Sequence, residues 1–545
     1  MKLGNTMSKI CSLALVTALF ATNTLAVSID EVVVEKKAKN VIILIPDGMS
    51  VSSTTLARWY QEGKALNLDS MASGLMRTHN ADTPIADSAP AGTAMATGKK
   101  SHTGYVGVLP DENTMPGLET LPNENIKRPI ATILEGAKSL KKATGLVVTC
   151  EIMHATPADF SAHFPSRRNY DALSKQQVYQ DIDVVIGGGS YFLAKENRKD
   201  NTDLVEVIKS KNYQYVTTLE DFNKVKSGKL WAMLAPKDLA YDFDRDPNKE
   251  PSLAEMTQKA IDILSQNPNG FFLMVEGSKV DWAAHANDPI GILSDVLAFD
   301  KAVGVAKAFA KKDGNTLVIA ASDHGNSGIS IGDRATSNDY DKLPLSTFIK
   351  PLKEAKLTGE GMEKLLNAER SNIATVVSEY FGISDLSDEE LENIKNYKKG
   401  SLNYAFGPVM AKRAHIGFTT NGHTGEDIPL YVYAPKTISQ LTGTIDNTHI
   451  SIYAQKAFGL DLNKLSDKLF VPSHLAFAKK GATVLFDDKD PLNPVLVVKK
   501  NSDTLRILAN TNLAYLNDKE IKLDGVSVYN EIVFYVPQSA VDLIK

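Results

Sequence analysis

Cysteine is nearly absent from the 545-residue chain, which has only Cys11 and Cys150. Cys11 falls in an N-terminal stretch that reads as an export signal, so the mature chain would keep Cys150 alone and have no internal disulfide. That excludes a disulfide-stapled scaffold, and a chain this long can bury a large core without one. An excess of positive charge is missing too. Lys and Arg number 60 against 65 Asp and Glu, a net charge of −5 at pH 7, with no basic block. A general nucleic-acid binder would show a basic face, so that class is disfavoured. After the leader, no stretch reaches the roughly 18 apolar residues of a membrane span.

The leader itself has Lys2 and Lys9, an apolar stretch from Leu13 to Ala21, and small residues at Thr24-Leu25-Ala26. This pattern predicts a signal peptide over residues 1–26 and a periplasmic or secreted protein. Beyond it, short apolar runs alternate with helical stretches. Val41 to Ile45 leads to Asp47, Leu146 to Thr149 leads towards His154, Phe271 to Val275 ends at Glu276, and Leu317 to Ala321 leads to Asp323-His324. Continuous apolar runs suit strands covered on both faces, as in a parallel α/β sheet, whose ligands gather at the carboxyl ends of the strands. Acids and histidines stand at those ends on run after run. The segment at about 325–413 is polar and helix-prone and reads as an insertion over the sheet edge. From 469 to 545 the texture changes to short strands, with a weak echo of Phe470-Val471-Pro472 in Tyr535-Val536-Pro537.

Five places carry chemistry. Asp87-Ser88-Ala89-Pro90 opens a small-residue stretch in which Ser88 would face free N–H groups at a helix start, although a serine there is most often only an N-cap. Asp281 and His285 lie four residues apart, so on a helix they share a face and can grip one zinc ion. Asp323-His324 ends a strand, and His423 sits in a turn-like Gly422-His423-Thr424-Gly425 before another. His154-Ala155-Thr156-Pro157 has Arg167 downstream, with Arg168 as its competitor. Taken singly, each is commonly a capped loop or a solvated charge. Together they supply three carboxylates (Asp47, Asp281, Asp323) and three imidazoles (His285, His324, His423) for two zinc ions. Glu276, Thr156 and a shared Asp47 add an all-oxygen set suited to magnesium. Cys150, ending an apolar run, reads as a core thiol.

This ordered set resembles the alkaline phosphatase family, over about Lys39 to Pro435. The resemblance implies a three-layer α/β sandwich around a large, mostly parallel sheet, and hydrolysis of phosphate monoesters outside the cytoplasm, usually by a homodimer. It implies that Ser88 is the nucleophile and is held by the first zinc with Asp47, Asp323 and His324. The second zinc would take Asp281, His285 and His423. Arg167 would grip two phosphate oxygens as a planar fork. Magnesium would be supported by Thr156 and Glu276. Better-known bacterial members have Asp where this chain has His154 and Lys where it has Trp282. An imidazole there is expected to reach magnesium through water, and Trp282 to ease phosphate release.

The tail resembles the small repeat module named after the amino-terminal part of copper amine oxidases, on Tyr515 to Leu523 and Tyr535-Val536-Pro537. No copper chemistry is implied, since its one histidine, His474, cannot form a site. The expected architecture is thus a catalytic domain over 27–468 and a β-rich α+β module over 469–545, serving envelope adhesion or dimer packing. Two alternatives stand beside the phosphomonoesterase. One is a phosphodiesterase or nucleotide pyrophosphatase of the same superfamily, against which Ser88, Thr156 and Glu276 argue. The other is an envelope-associated binding protein working through its tail.

Overall fold

A computed structural model describes residues 27–545. The export signal expected over residues 1–26, Cys11 included, lies outside them. Ten strands form the central sheet: β1 (Asn40–Pro46), β2 (Ala72–Arg77), β3 (Ala143–Glu151), β4 (Val184–Gly188), β5 (Gln214–Val216), β6 (Leu230–Ala235), β7 (Phe271–Gly277), β8 (Thr316–Ala321), β9 (Ile428–Tyr433) and β10 (Gly443–Asp446). Their order is β10-β2-β9-β8-β1-β7-β3-β4-β6-β5. All neighbours run parallel except β9, which is antiparallel to both β2 and β8.

The continuous apolar runs have a direct explanation in the packing. Along β1, Val41, Ile43 and Ile45 enter the hydrophobic core on one face of the sheet, while Ile42 and Leu44 enter the core on the other. A strand buried on both faces has no polar side to alternate with. One face is covered by helices that include Ser88–Thr97, Ile133–Ser139, Tyr170–Tyr179 and Thr448–Phe458. The other is covered by Val51–Tyr60, Leu253–Leu264 and the 25-residue helix Pro289–Asp313. That long helix starts with Pro289 in its first turn and an Asp288 side-chain cap, and it ends at Gly314 with φ +71°. Such ends satisfy or remove the orphan amides at its start and allow the left-handed stop at its finish.

The insertion lies elsewhere than expected. Its helices Leu345–Glu354, Ile373–Phe381 and Asn403–Arg413 bury Ile349, Leu352, Val376, Val377, Phe381, Phe406 and Met410 in the same core as the long helix. The segment packs on helices Val51–Tyr60 and Pro289–Asp313 and not over an edge of the sheet. Its average polarity comes from the outer faces of amphipathic helices.

The tail is a five-stranded antiparallel meander from Thr483 to Lys522, with helices Ser473–Lys479 and Gln538–Asp542. Leu496, Val498, Leu505, Ile507 and Phe534 are among the residues of its own core. The echo in the sequence is a pair in space: Val471 lies opposite Val536 and Pro472 opposite Tyr535 in an antiparallel ladder, each leading into a short helix. Among the described residues, no helix is long and apolar enough to cross a membrane.

Candidate active site

Sheet direction gathers the side chains. Asp47 follows β1, Glu276 sits near the end of β7, Asp323 and His324 follow β8, and His154 and Thr156 follow β3. Because β9 runs the other way, its amino end meets the carboxyl ends of its neighbours, and His423 therefore precedes its strand. The long excursion between His324 and His423 is closed by a short ladder in which Thr424 pairs with Gly325 and His423 with Asn326. Helix Lys279–His285 starts just beyond β7 and carries Asp281 and His285 one turn apart. Gly48 (φ +66°) lets the turn after β1 close on that helix, since a Cβ there would stand 2.6 Å from Asp281 Oδ1.

Three imidazoles are oriented alike. Nδ1 of His285 lies 2.6 Å from the Asn421 carbonyl oxygen, Nδ1 of His423 lies 2.6 Å from that of Ala86, and Nδ1 of His324 lies 3.2 Å from that of Gly325. Carbonyls only accept, so each Nδ1 carries the proton and each Nε2 presents its lone pair. These lone pairs converge. Nε2 of His285 is 3.1 Å from Nε2 of His423, and Nε2 of His324 is 3.0 Å from Ser88 Oγ. Two facing lone pairs repel unless a cation lies between them, and two nitrogens on tetrahedral zinc stand about 3.3 Å apart. The geometry fits a metal.

The carboxylates make the same argument. Asp47, Asp323 and Glu276 are fully buried, where unpaired charge is very costly. Both oxygens of Asp47, Oδ2 of Asp323 and Oε1 of Glu276 accept no hydrogen bond from any described residue. Burial, with Asp281, Asp323 and Glu276 close by, pushes the Asp47 carboxyl well above its usual range. Burial and Asp323 push Glu276 up to about 8. Burial lowers the His324 imidazole, but the Asp323 and Asp281 carboxylates more than offset it and raise it to about 9, so Nε2 holds a second proton when no cation is bound and gives its lone pair when one is. The site attracts positive charge. Asp47, Asp323 and His324 form one group able to hold a metal ion, and Asp281, His324 and His423 form a second, with His285 Nε2 3.4 Å from Asp281 Oδ2. His324 thus faces both groups, whereas the expectation from sequence assigns it only to the first.

Ser88 is buried in the first turn of helix Ser88–Thr97, at its positive end. Arg167 pairs with Asp87, the residue before Ser88, and its Nη2 donates to His154 Nε2 at 3.2 Å. Arg168 is exposed, so the geometry separates the two candidates. Trp282 lies edge-on to His154, with ring centroids 5.9 Å apart. Thr156 is buried, and its Oγ1 has no hydrogen-bond partner among the described residues.

Comparison with known proteins identifies the family. The family model described as alkaline phosphatase matches residues 38–460. The chain belongs to the alkaline phosphatase family. It is 38% identical to alkaline phosphatase 4 of Bacillus subtilis over 432 residues, 75% of this chain and 86% of the relative. A cold-active alkaline phosphatase from a psychrophilic Shewanella sp. superposes with a TM-score of 0.66 at 30% identity, over 77% of this chain and 99% of that one. A variant of the alkaline phosphatase from the Antarctic bacterium TAB5, solved with magnesium in its M3 site, gives 0.56 at 27% identity, over 78% and 99%. Membership makes the protein a metal-dependent phosphomonoesterase of the alkaline phosphatase type. The supporting contacts that the sequence did not assign are the pairing of Asp87 with Arg167, the donation from Asn326 Nδ2 to Asp281 Oδ1 at 2.6 Å, and the carbonyls of Ala86 and Asn421. Backbone acceptors leave no residue-type signal.

Proposed function

We propose that this alkaline phosphatase is exported and hydrolyses phosphate monoesters through a phosphoserine on Ser88. The convergence of three Nε2 lone pairs and several unpartnered buried carboxylate oxygens around one serine hydroxyl carries the reading. Asp47, Asp323 and His324 would hold one zinc ion, and Asp281, His285 and His423 the other. The oxygen set of Asp47, Thr156 and Glu276 would hold a third cation and suits magnesium, the ion bound in the M3 site of the TAB5 variant. Bound there, the cations would make the serine hydroxyl and the later water nucleophilic and offset charge on the leaving oxygen.

The chain's own residues supply positioning. Asp87 and His154 hold the Arg167 guanidinium so that its fork meets two phosphate oxygens. Ser88 Oγ forms a bond to phosphorus as the ester oxygen leaves on the opposite side. The serine proton passes to solvent and the leaving oxygen takes one up. Water then cleaves the phosphoserine, restoring the hydroxyl and releasing inorganic phosphate. Burial and Arg167 hold the His154 imidazole down to about 4, so it stays neutral and accepts the Arg167 hydrogen bond. Trp282 offers phosphate no charge. Trp282→Lys is therefore expected to strengthen phosphate inhibition, and His154→Asp to strengthen magnesium activation.

Helix Val51–Tyr60 supports the homodimer: Val51, Thr55 and Trp59 are spaced one turn apart, with Val51 and Trp59 well exposed. The outer strand of the tail, Thr483–Asp487, exposes Leu485 and Phe486, which supports a contact role for a module of the amine-oxidase type. Metal analysis of the purified protein, together with 4-nitrophenyl phosphate hydrolysis before and after chelation, tests the function. Full activity in metal-free protein would reject it.

A further inference from the structure

The tail packs against the segment that carries Arg167. On one side of that segment, Phe164 and Val106 exchange backbone hydrogen bonds of 2.8 and 3.0 Å, and the Arg167 N–H donates to the Gly104 carbonyl oxygen at 2.7 Å. The other side is held by Gln176, fully buried on helix Tyr170–Tyr179. Its side-chain amide meets both backbone groups of His163. Oε1 accepts from the His163 N–H at 2.8 Å, and Nε2 donates to the His163 carbonyl oxygen at 2.9 Å. The second Nε2 hydrogen goes to Asn510 Oδ1, in the tail, at 2.9 Å. Asn510 has φ +61°, and its own N–H donates to the Ser527 carbonyl oxygen at 2.8 Å. Phe470 touches the same segment a second time, edge-on to the His163 ring with centroids 4.6 Å apart. Phe470, Val526, Val528 and Tyr535 are buried in one core with Phe160, Phe164 and Leu173 of the catalytic part. The tail is therefore docked through packing as well as hydrogen bonds.

We propose that the tail is an intramolecular brace for Arg167, with Asn510 and Gln176 as positioning residues that hold the His163–Arg167 segment in place. Gln176 is fully buried, so the hydrogen it gives to Asn510 would have no water to turn to if that acceptor were lost. Its amide would then have to turn or shift, and the two-point grip on His163 would loosen. A planar guanidinium must meet two phosphate oxygens at once, and small misplacements of such a fork are costly in rate. The family match ends at residue 460, so Phe470 and Asn510 support the arginine from outside the matched region. The inference rests on Arg167 as the residue that grips phosphate and goes beyond it by giving the tail a part in the reaction.

The test uses the full-length, metal-loaded enzyme. Asn510→Gly removes the acceptor and keeps the left-handed backbone, which glycine adopts without strain. It should lower kcat/KM for 4-nitrophenyl phosphate by about three- to tenfold and raise the inhibition constant of inorganic phosphate by a similar factor. In an Arg167→Ala background the same change should alter kcat/KM by less than about twofold, because the group it positions is gone. Asn512→Ala serves as the structural control. It cuts a different tail contact, Asn512 Nδ2 to Asp181 Oδ2 at 3.1 Å beyond the far end of the same helix, and should leave both constants near those of the parent. An equal loss in both backgrounds, no loss in the otherwise unaltered enzyme, or an equal loss from Asn512→Ala would each overturn the brace. A parent enzyme that releases no phosphate from the ester would instead reject the phosphatase reading itself.

Discussion

The carboxyl edge of the large sheet and the C-terminal meander treat buried polar groups in opposite ways. At the sheet edge, Asp47, Asp323, Glu276 and Thr156 are buried with oxygens that no described residue satisfies. In the meander, neighbouring strands complete one another's ladders from Thr483 to Lys522, and the core is apolar side chains. A fold gains nothing from unsatisfied buried acids. Their presence in one region marks where cations belong, and their scarcity in the other marks a body held by packing.

Two substitutions would break that contrast most sharply. Ser88→Ala removes the attacking oxygen and should lower phosphate release by about 10^3-fold or more while leaving the melting temperature near that of the parent. Ile507→Ala, inside the meander core, should cost about 2–4 kcal/mol in unfolding of that region and leave kcat unchanged. If the meander variant lost activity while the serine variant kept it, the assignment of the two regions would be reversed.

Chelation addresses the same contrast through pH. Burial raises Glu276 from 4.5 in the unfolded chain to about 8 in the metal-free fold, so between those values the folded state binds more protons than the unfolded one. Metal-free protein should therefore lose stability as pH rises from about 5 to 8, the stabilising proton being fully present only at the acid end. Added zinc should raise the melting temperature more at pH 8 than at pH 5, and equal gains at both would argue against a charged, cation-seeking cluster. Next in size is the arginine pair. Arg167→Ala should reduce kcat/KM by about 10^2-fold, and Arg168→Ala, on an exposed side chain, should change it little.

Much of this arrangement is legible in the amino-acid sequence. Apolar runs ending in acids and histidines predict a buried parallel sheet with a polar carboxyl edge, and β1, β7 and β8 follow that pattern to within a residue or two at their ends. Other features depend on contacts that periodicity does not encode. His423 reaches the site through a two-residue ladder with Gly325–Asn326, across an excursion that the chain itself does not measure. Arg167 and Arg168 are chemically identical, and only backbone direction after Ser166 decides which enters. Cys150 reads as a core thiol and is fully buried, while its position relative to Glu276 belongs to the pairing of β3 with β7. The helical insertion looks polar because roughly half of the residues on an amphipathic helix face water.

The smallest expected effect concerns how the nucleophile's helix is seated. Gly92 lies in mid-helix, where glycine is unfavourable by roughly 0.5–1 kcal/mol relative to alanine. It stands against Asp159, which is fully buried and accepts a hydrogen bond from Thr93 Oγ1 at 3.0 Å. A Cβ on Gly92 would come 2.2 Å from Asp159 Oδ2. Gly92→Ala should therefore cost about 1–3 kcal/mol by overpacking despite its better helix propensity, read as a lower melting temperature. Pairing it with Asp159→Ala removes the clashing oxygen, so the double variant should recover stability relative to Gly92→Ala alone. Because helix Ser88–Thr97 carries Ser88, the single variant should also lower kcat more than it raises KM, and the double variant should restore kcat. If Gly92→Ala proved neutral, the glycine would not be there to admit the acid, and the packing between this helix and Ala155–Asp159 would not fix the serine.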